Sequence, residues 1–272
     1  MPDLIESGAW GAATHVGARR TLNEDAYLAQ APIFVVADGM GGHEQGEVAS
    51  GIAIAEFASL TQYSSLVAEQ VDSCFGRAQA RLRAVLAQGT GGTTVCGVAV
   101  VFVDDSPYWL VFNLGDSRAY LLTGDGELSQ VSVDHSVVQE MVDSGNLTAH
   151  EATTHADRHV ITRALETVTE PAPDYWLLPI STGDQILLCS DGLTDELPNS
   201  EIARIWSGAP SAQLAADHLV HSAYTAGGRD NITVVVVTSE VVEGIGHTAT
   251  QATHQLSPTQ QNQVQRSQTD AD

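Results

Sequence analysis

The chain has 272 residues and no lysine; all 11 of its basic residues are arginines. Walker-type phosphate loops, protein kinases, Schiff-base aldolases and pyridoxal enzymes each need a lysine amine at the reacting centre, so all four are excluded. Cysteine is scarce too: Cys74, Cys96 and Cys189 show no paired or metal-ligand spacing. This suits a reducing compartment and argues against a disulfide framework or a zinc knuckle. A cysteine-nucleophile phosphatase needs an arginine a few residues on, in a tight loop. Cys96 and Cys189 have none near, and Cys74 has Arg77 only at helical spacing. Positive charge is short: 34 acidic residues bring the formal net charge to −23, so nucleic acid, which requires a basic footprint, is not an expected partner. No uncharged apolar run approaches the length that crosses a bilayer, and the opening MPDLIESGAWG has neither a basic nor an apolar leader. No membrane partner and a cytoplasmic location are therefore expected.

What is present is enough for a core, since 43% of the residues are hydrophobic. The segment 243–272 is the exception, rich in Gln, Thr and Ser with almost no large apolar side chains. It buries too little surface to offset its ordering entropy and reads as a disordered tail behind one domain, residues 1–242. Within that domain, 93–103, 108–115, 185–190 and 231–239 are apolar on both alternating faces, as strands covered on both sides are. Val67, Val71, Phe75, Ala78, Leu82 and Val85 form one apolar helix face within 65–88, and 46–60 and 211–225 read as shorter helices. Strands come in runs, joined by short turns such as TGDG at 123–126. This predicts an α+β protein, antiparallel sheets packed together with helices outside. The polar stretch 134–167 interrupts the strand pattern as an excursion over one sheet edge.

Acidic motifs sit at strand ends. Asp38 follows IFVVA, Asp116 follows LVFNLG, Asp191 follows ILLCS, Asp230 precedes NITVVVV, and RRTLNED offers Arg20, Glu24 and Asp25 before another strand. Any one Asp-Gly pair is ordinarily a turn, and Arg20 alone is a surface arginine. Six carboxylates converging at one end of stacked strands would repel one another unless a cation sat among them. An all-oxygen set fits magnesium or manganese.

The ordered series RTLNED, VVADGMGGH, GTGGTT, NLGDSRAYLL, DHS, RHVITRAL, LLCSDGLTD and GGRDNITVVVV, spanning about residues 8–239, resembles the metal-dependent serine/threonine phosphatase family, protein phosphatase 2C in its bacterial form. The resemblance implies a four-layer α-β-β-α sandwich in which a metal-activated water at a binuclear Mn2+ or Mg2+ centre hydrolyses phosphoserine and phosphothreonine in proteins. Such a protein opposes a Ser/Thr kinase, and a monomer is expected. By the family pattern Asp38 bridges two tightly bound ions, the Gly39 carbonyl joins one, and Asp191 and Asp230 hold the other. Glu24 and Asp25 hold metal-bound waters, Asp116 and Asp191 hold a third, weaker ion, and Arg20 clamps the substrate phosphate. Residues 134–167 correspond to the flap beside the site.

Three departures stand out. Met40 occupies the position where eukaryotic relatives carry a histidine often proposed as general acid, and a thioether donates no proton; His43, three residues on, need not face substrate. Ala156 and His159 replace the proline and asparagine common in the flap. Two other readings compete: a serine esterase, from GDS at 115–117, and a metal-binding pseudophosphatase, although no expected site residue is missing.

Overall fold

The apolar runs form strands and the three- and four-spaced apolar positions form helices. In chain order these are β1 (Trp10–His15), β2 (Asp25–Gln30), β3 (Ile33–Met40), α1 (Gln45–Ala58), a 3-10 turn (Ser59–Gln62), α2 (Ala68–Val85), β4 (Gly92–Thr93), β5 (Val95–Val103), β6 (Ser106–Leu114), β7 (Arg118–Leu122), β8 (Leu128–Gln130), α3 (Val137–Asp143) and α4 (Ala149–Ala152). There follow β9 (Leu165–Glu166), β10 (Asp174–Pro179), β11 (Gln185–Cys189), α5 (Asp191–Thr194), α6 (Asn199–Ser207), α7 (Ala212–Ala226), β12 (Ile232–Thr238) and β13 (His254–Gln255). The computed structural model describes residues 9–41, 45–86, 91–104, 106–239 and 254–255.

One sheet runs β1-β12-β11-β7-β8; the other runs β13-β10-β6-β5-β3-β4-β9, with β2 paired to β3. Every strand pair in them is antiparallel. Successive strand side chains face opposite ways, so a strand apolar at every position must be covered on both faces. Phe34 and Val36 of β3, Ile186 and Leu188 of β11, and Val235 and Val237 of β12 meet in one core between the sheets. Their sequence neighbours turn outward. Ile33 and Val35 pack with Phe57 and Phe75 of α1 and α2, while Leu187, Val234 and Val236 pack with Trp206 of α6 and Leu219 of α7. Three cores between four layers make the expected α-β-β-α sandwich.

Expected elements and observed ones agree closely: the helix sought over 65–88 is α2, 46–60 is α1 with its 3-10 extension, and 211–225 is α7. TGDG closes the β7-β8 hairpin. The excursion at 134–167 holds two short helices, α3 and α4, and returns through β9. The expected tail, 243–272, lies outside the described residues except for β13, whose backbone pairs with β10, and so does His43. No helix among the described residues is long and apolar enough to cross a membrane.

Candidate metal centre

Sheet register gathers the acidic residues at one end of the sandwich. Cys189, at the end of β11, lies opposite Arg118 on β7 and Val234 on β12. Asp191, two residues beyond Cys189, therefore meets the turn that carries Asp116 and the approach to β12 that carries Asp230. In the other sheet Asp25 lies directly opposite Asp38, and Asp38 continues the period-two face of Phe34 and Val36 toward the layer between the sheets. Ser190 joins the halves by donating its hydroxyl to Asp25 Oδ2 at 2.8 Å. The Thr94 and Ser117 hydroxyls do likewise at 2.7 Å.

The backbone around Asp38 is held tightly. Its N–H donates to Thr94 Oγ1 at 2.9 Å, and its carbonyl accepts from the Thr94 N–H and the Thr93 hydroxyl, each at 2.9 Å. At Gly39 only glycine fits: a Cβ there would stand 2.2 Å from the Gly46 carbonyl oxygen and 2.5 Å from that of Glu24. Gly192, after Asp191, is equally close, 1.9 Å from its would-be Cβ to the Asn231 carbonyl oxygen. These contacts explain the glycines that follow Asp38 and Asp191. They let α1 and the loop before β12 press against the acidic strand ends.

The electrostatics are those of crowded buried anions. Burial, then the charges of Asp25, Asp191, Asp116 and Asp230, push the Asp38 carboxyl well up. Asp191 is pushed well up by burial, then by Asp116, Asp195, Asp230 and Asp25. Burial raises Asp25 to about 6 against the hydrogen bonds from Thr233 and Ser190. Burial and the neighbouring Asp134 raise Asp116 to about 7. Burial also raises Glu24, although Arg20 and the Gly46 N–H oppose it. Arg20 forms a 2.6 Å ion pair with Asp230 Oδ2. The structure thus brings together all six expected carboxylates, with Gly39 and Arg20 beside them.

These donors fit a hard divalent cation. All are oxygens, and Asp25 Oδ1 is buried with no hydrogen-bond partner. A buried carboxylate oxygen without a donor is costly unless a cation takes its place.

Linkage makes this crowding measurable. Asp25 and Asp116 bind protons more tightly folded than unfolded, so the stability they contribute is complete below about pH 4 and is lost as pH rises through 6 to 7. Chelator-treated protein is expected to melt roughly 5 °C higher at about pH 5.5 than at about pH 8, and added Mn2+ to raise the melting temperature more at the higher pH. Scanning calorimetry across that range checks it; a chelated melting temperature flat in pH would refute it.

Several residues that carry the site had no role in the sequence reading. Asn231 accepts from the Glu24 N–H at 2.8 Å and donates to the carbonyls of Val16 and Leu22, each at 2.9 Å, fixing the loop that bears Arg20. His135, from DHS, accepts from the Gly115 N–H at Nδ1 at 3.0 Å and pairs through Nε2 with Asp174 at 3.1 Å. Its carbonyl accepts from the Thr162 N–H at 2.8 Å, tying the excursion to the turn that holds Asp116. Both lie inside motifs already noted, but nothing in the motif reveals which partner each side chain meets.

The other chemistries lack their apparatus. Cys74 lies buried on α2, receiving the Arg77 guanidinium at 3.0 Å, and burial raises its thiol. Cys189 is pushed up to about 12, chiefly by burial. Ser117 is buried, and its hydroxyl meets Thr94 rather than a base.

Fold and site together define a four-layer sandwich with a cluster of buried carboxylates at the end of its sheets. Residues 14–222 match protein phosphatase 2C, and the chain belongs to that family. Over 242 residues it is 37% identical to the serine/threonine protein phosphatase PstP of Mycobacterium tuberculosis, a match covering 84% of this chain and 44% of that protein. The chain therefore spans less than half the length of this relative. It is 34% identical over 239 residues to the protein phosphatase PhpP of Streptococcus pneumoniae, covering 82% of this chain and 94% of that one. A crystal structure of the PstP catalytic domain in complex with two manganese ions matches with a TM-score of 0.75 at 34% identity, over 84% of this chain and 96% of that chain.

Proposed function

We propose that this chain hydrolyses phosphoserine and phosphothreonine in proteins at a binuclear Mn2+ or Mg2+ centre, reversing Ser/Thr kinase signalling as a cytoplasmic monomer. The observation that carries the reading is the convergence of buried carboxylates beside Arg20, with one Asp25 oxygen left without a donor. Asp38 would be shared by the two ions, the Gly39 carbonyl would join one, and Asp191 and Asp230 would hold the other. Glu24 and Asp25 would orient water at the pair, and Asp116 with Asp191 would hold a third, weaker ion. Divalent ions held there supply an acidified water as nucleophile and positive charge for the phosphoryl oxygens.

Arg20 serves substrate. Its planar guanidinium grips two phosphate oxygens but ligates no cation. It pairs with Asp230 Oδ2 at 2.6 Å, which places the guanidinium beside the carboxylates that would hold the ions. Arg20→Ala is expected to raise the KM for a phosphopeptide roughly 10- to 100-fold, the worth of a charge-assisted contact, with a smaller change in Mn2+ affinity. Steady-state kinetics that leave both kcat and KM unchanged would refute the clamp.

The deciding assay presents purified protein with phosphopeptides, with Mn2+ and then with chelator. Turnover that requires the metal supports the proposal. A protein that binds metal without turning over is a pseudophosphatase, and hydrolysis of a carboxylic ester without metal revives the esterase reading.

A further inference from the structure

β10 is a sheet edge that carries little of what keeps an edge from pairing. Its inner side is fully matched, six positions from Asp174 opposite Asn113 to Pro179 opposite Tyr108 on β6. Its outer side has β13 as its partner strand among the described residues, with Trp176 opposite Gln255 and Leu177 opposite His254. Open edges are normally blunted by charge or by proline within the strand. Here the prolines, Pro173 and Pro179, stand at the two ends. The one charged residue between them, Asp174, is already engaged by His135 at 3.1 Å and by Arg163 at 3.3 Å. Tyr175, Trp176, Leu177 and Leu178 are left as an uncharged run whose outward N–H and C=O groups need a partner.

The chain is placed to supply that partner itself. It leaves β12 at Ser239, whose N–H donates to the Asp184 carbonyl at 3.0 Å and whose hydroxyl donates to the Ser181 carbonyl at 2.8 Å. Ser181 stands two residues past the end of β10, so the exit is fixed beside that strand's last residues. The four positions from Leu177 to Ser181 span at most about 14 Å. Residues 240–253 lie between the exit and His254, and a chain of that length has an average reach of roughly 20 Å. A tether that matches its gap holds the tethered segment at an effective concentration on the order of millimolar.

We propose that the outer edge of β10 is a strand-docking site whose occupant is this chain's own C-terminal segment, added in cis from His254 onward. The backbone ladder supplies the affinity, as in other strand additions, and it turns an open, aggregation-prone edge into an interior strand. The antiparallel register would set Leu256 opposite Tyr175 and Ser257 opposite Asp174, and Pro258, with no N–H to give, would end the ladder. A segment too poor in apolar side chains to build a core needs none here, because main-chain pairing on an existing sheet asks little of its side chains.

The test is hydrogen–deuterium exchange on the full chain, read by mass spectrometry on fragments spanning 174–179. His254→Pro combined with Gln255→Pro removes both N–H donors of β13. Exchange at 174–179 is expected to quicken about tenfold in that double variant, while fragments of β6 and β12 stay unchanged. Gln263→Pro, beyond the paired segment, is expected to match wild type. The double variant is also expected to self-associate through the opened edge, read by size-exclusion chromatography; a double variant that stays monomeric would overturn the protective role. Equal exchange at 174–179 in wild type and the double variant would overturn the site. So would equal quickening by Gln263→Pro, which would make the effect independent of register. Protection that falls on dilution of wild type would make the occupant a second copy and overturn docking in cis. Loss of protection in β6 and β12 as well would make β13 part of the core fold, not a docked strand. None of these readouts requires metal or turnover, so failure here leaves the phosphatase reading standing.

Discussion

Asp38→Asn is expected to lose tight binding of two divalent cations and to lower phosphopeptide turnover about a thousandfold while the sandwich stays folded. Asn keeps the size of the side chain, and the strand bonds are made by the backbone: the N–H to Thr94 Oγ1 and the carbonyl to Thr93 and Thr94. What goes is one negative charge from the point where Asp25, Asp191, Asp116 and Asp230 all press on the same carboxyl. Ions that stabilise transferring phosphoryl groups contribute several kcal/mol, and each ~1.4 kcal/mol is tenfold in rate. The metal-free variant should melt at or above the temperature of metal-free wild type at about pH 8, because a repulsive charge has been removed. Calorimetric titration with Mn2+, steady-state kinetics and a thermal melt check the three parts. Unchanged stoichiometry and rate would refute the bridging role, and an unfolded variant would show Asp38 to be structural.

The second large effect is expected at Asp116. The six carboxylates of the cleft carry six negative charges when ionised, of which two divalent ions balance four, leaving a negative pocket to receive a phosphate dianion with Arg20 as its clamp. On the proposed reading, a further cation held by Asp116 and Asp191 would offset that charge and let bound water serve as the proton source that Met40, with no proton to give, is not. Asp116 is buried at a turn pinned by His135 and flanked by the 2.7 Å Arg118–Asp134 pair, so Asn is accommodated without moving the strands. Asp116→Asn is expected to keep two tightly bound ions and lose about 100-fold in phosphopeptide turnover, the usual worth of assisted proton transfer. The loss on p-nitrophenyl phosphate, whose leaving group scarcely needs a proton, should be well under tenfold. Both substrates are measured across a Mn2+ titration. Equal losses would remove the proton-delivery role, and wild-type rates on both would remove the third ion from the mechanism.

Asp38, Asp116, Asp191 and Asp230 were legible in the sequence because each stands at the border of an apolar strand, where a turn alone explains the residue and four such borders in family order do not. The two-sided burial of the sheets was legible from periodicity: strands apolar at every position must be covered on both faces, as β3, β11 and β12 are. Asn231, Ser190, Thr94 and His135 were not. Each is a small or medium polar residue whose role depends on a partner 20 to 207 positions away, and no local pattern records such a partner.

By itself the sequence determined the chemistry available: no lysine, no paired cysteines, an excess of carboxylates, and strands ending on aspartate and glycine. Its periodicity also determined sheets packed together with helices outside, because period-two burial follows from which side chains avoid water, and the family resemblance supplied the four-layer order. Only the tertiary structure decided that Asp25 faces Asp38, that one Asp25 oxygen has no donor, that Arg20 rests on Asp230, and that His159 of the flap reaches Asp191 and Asp195. Composition and periodicity act along the chain. Charge repulsion, desolvation and ligand geometry act across space, and they take their values only when strand register and the path of the flap have set the distances.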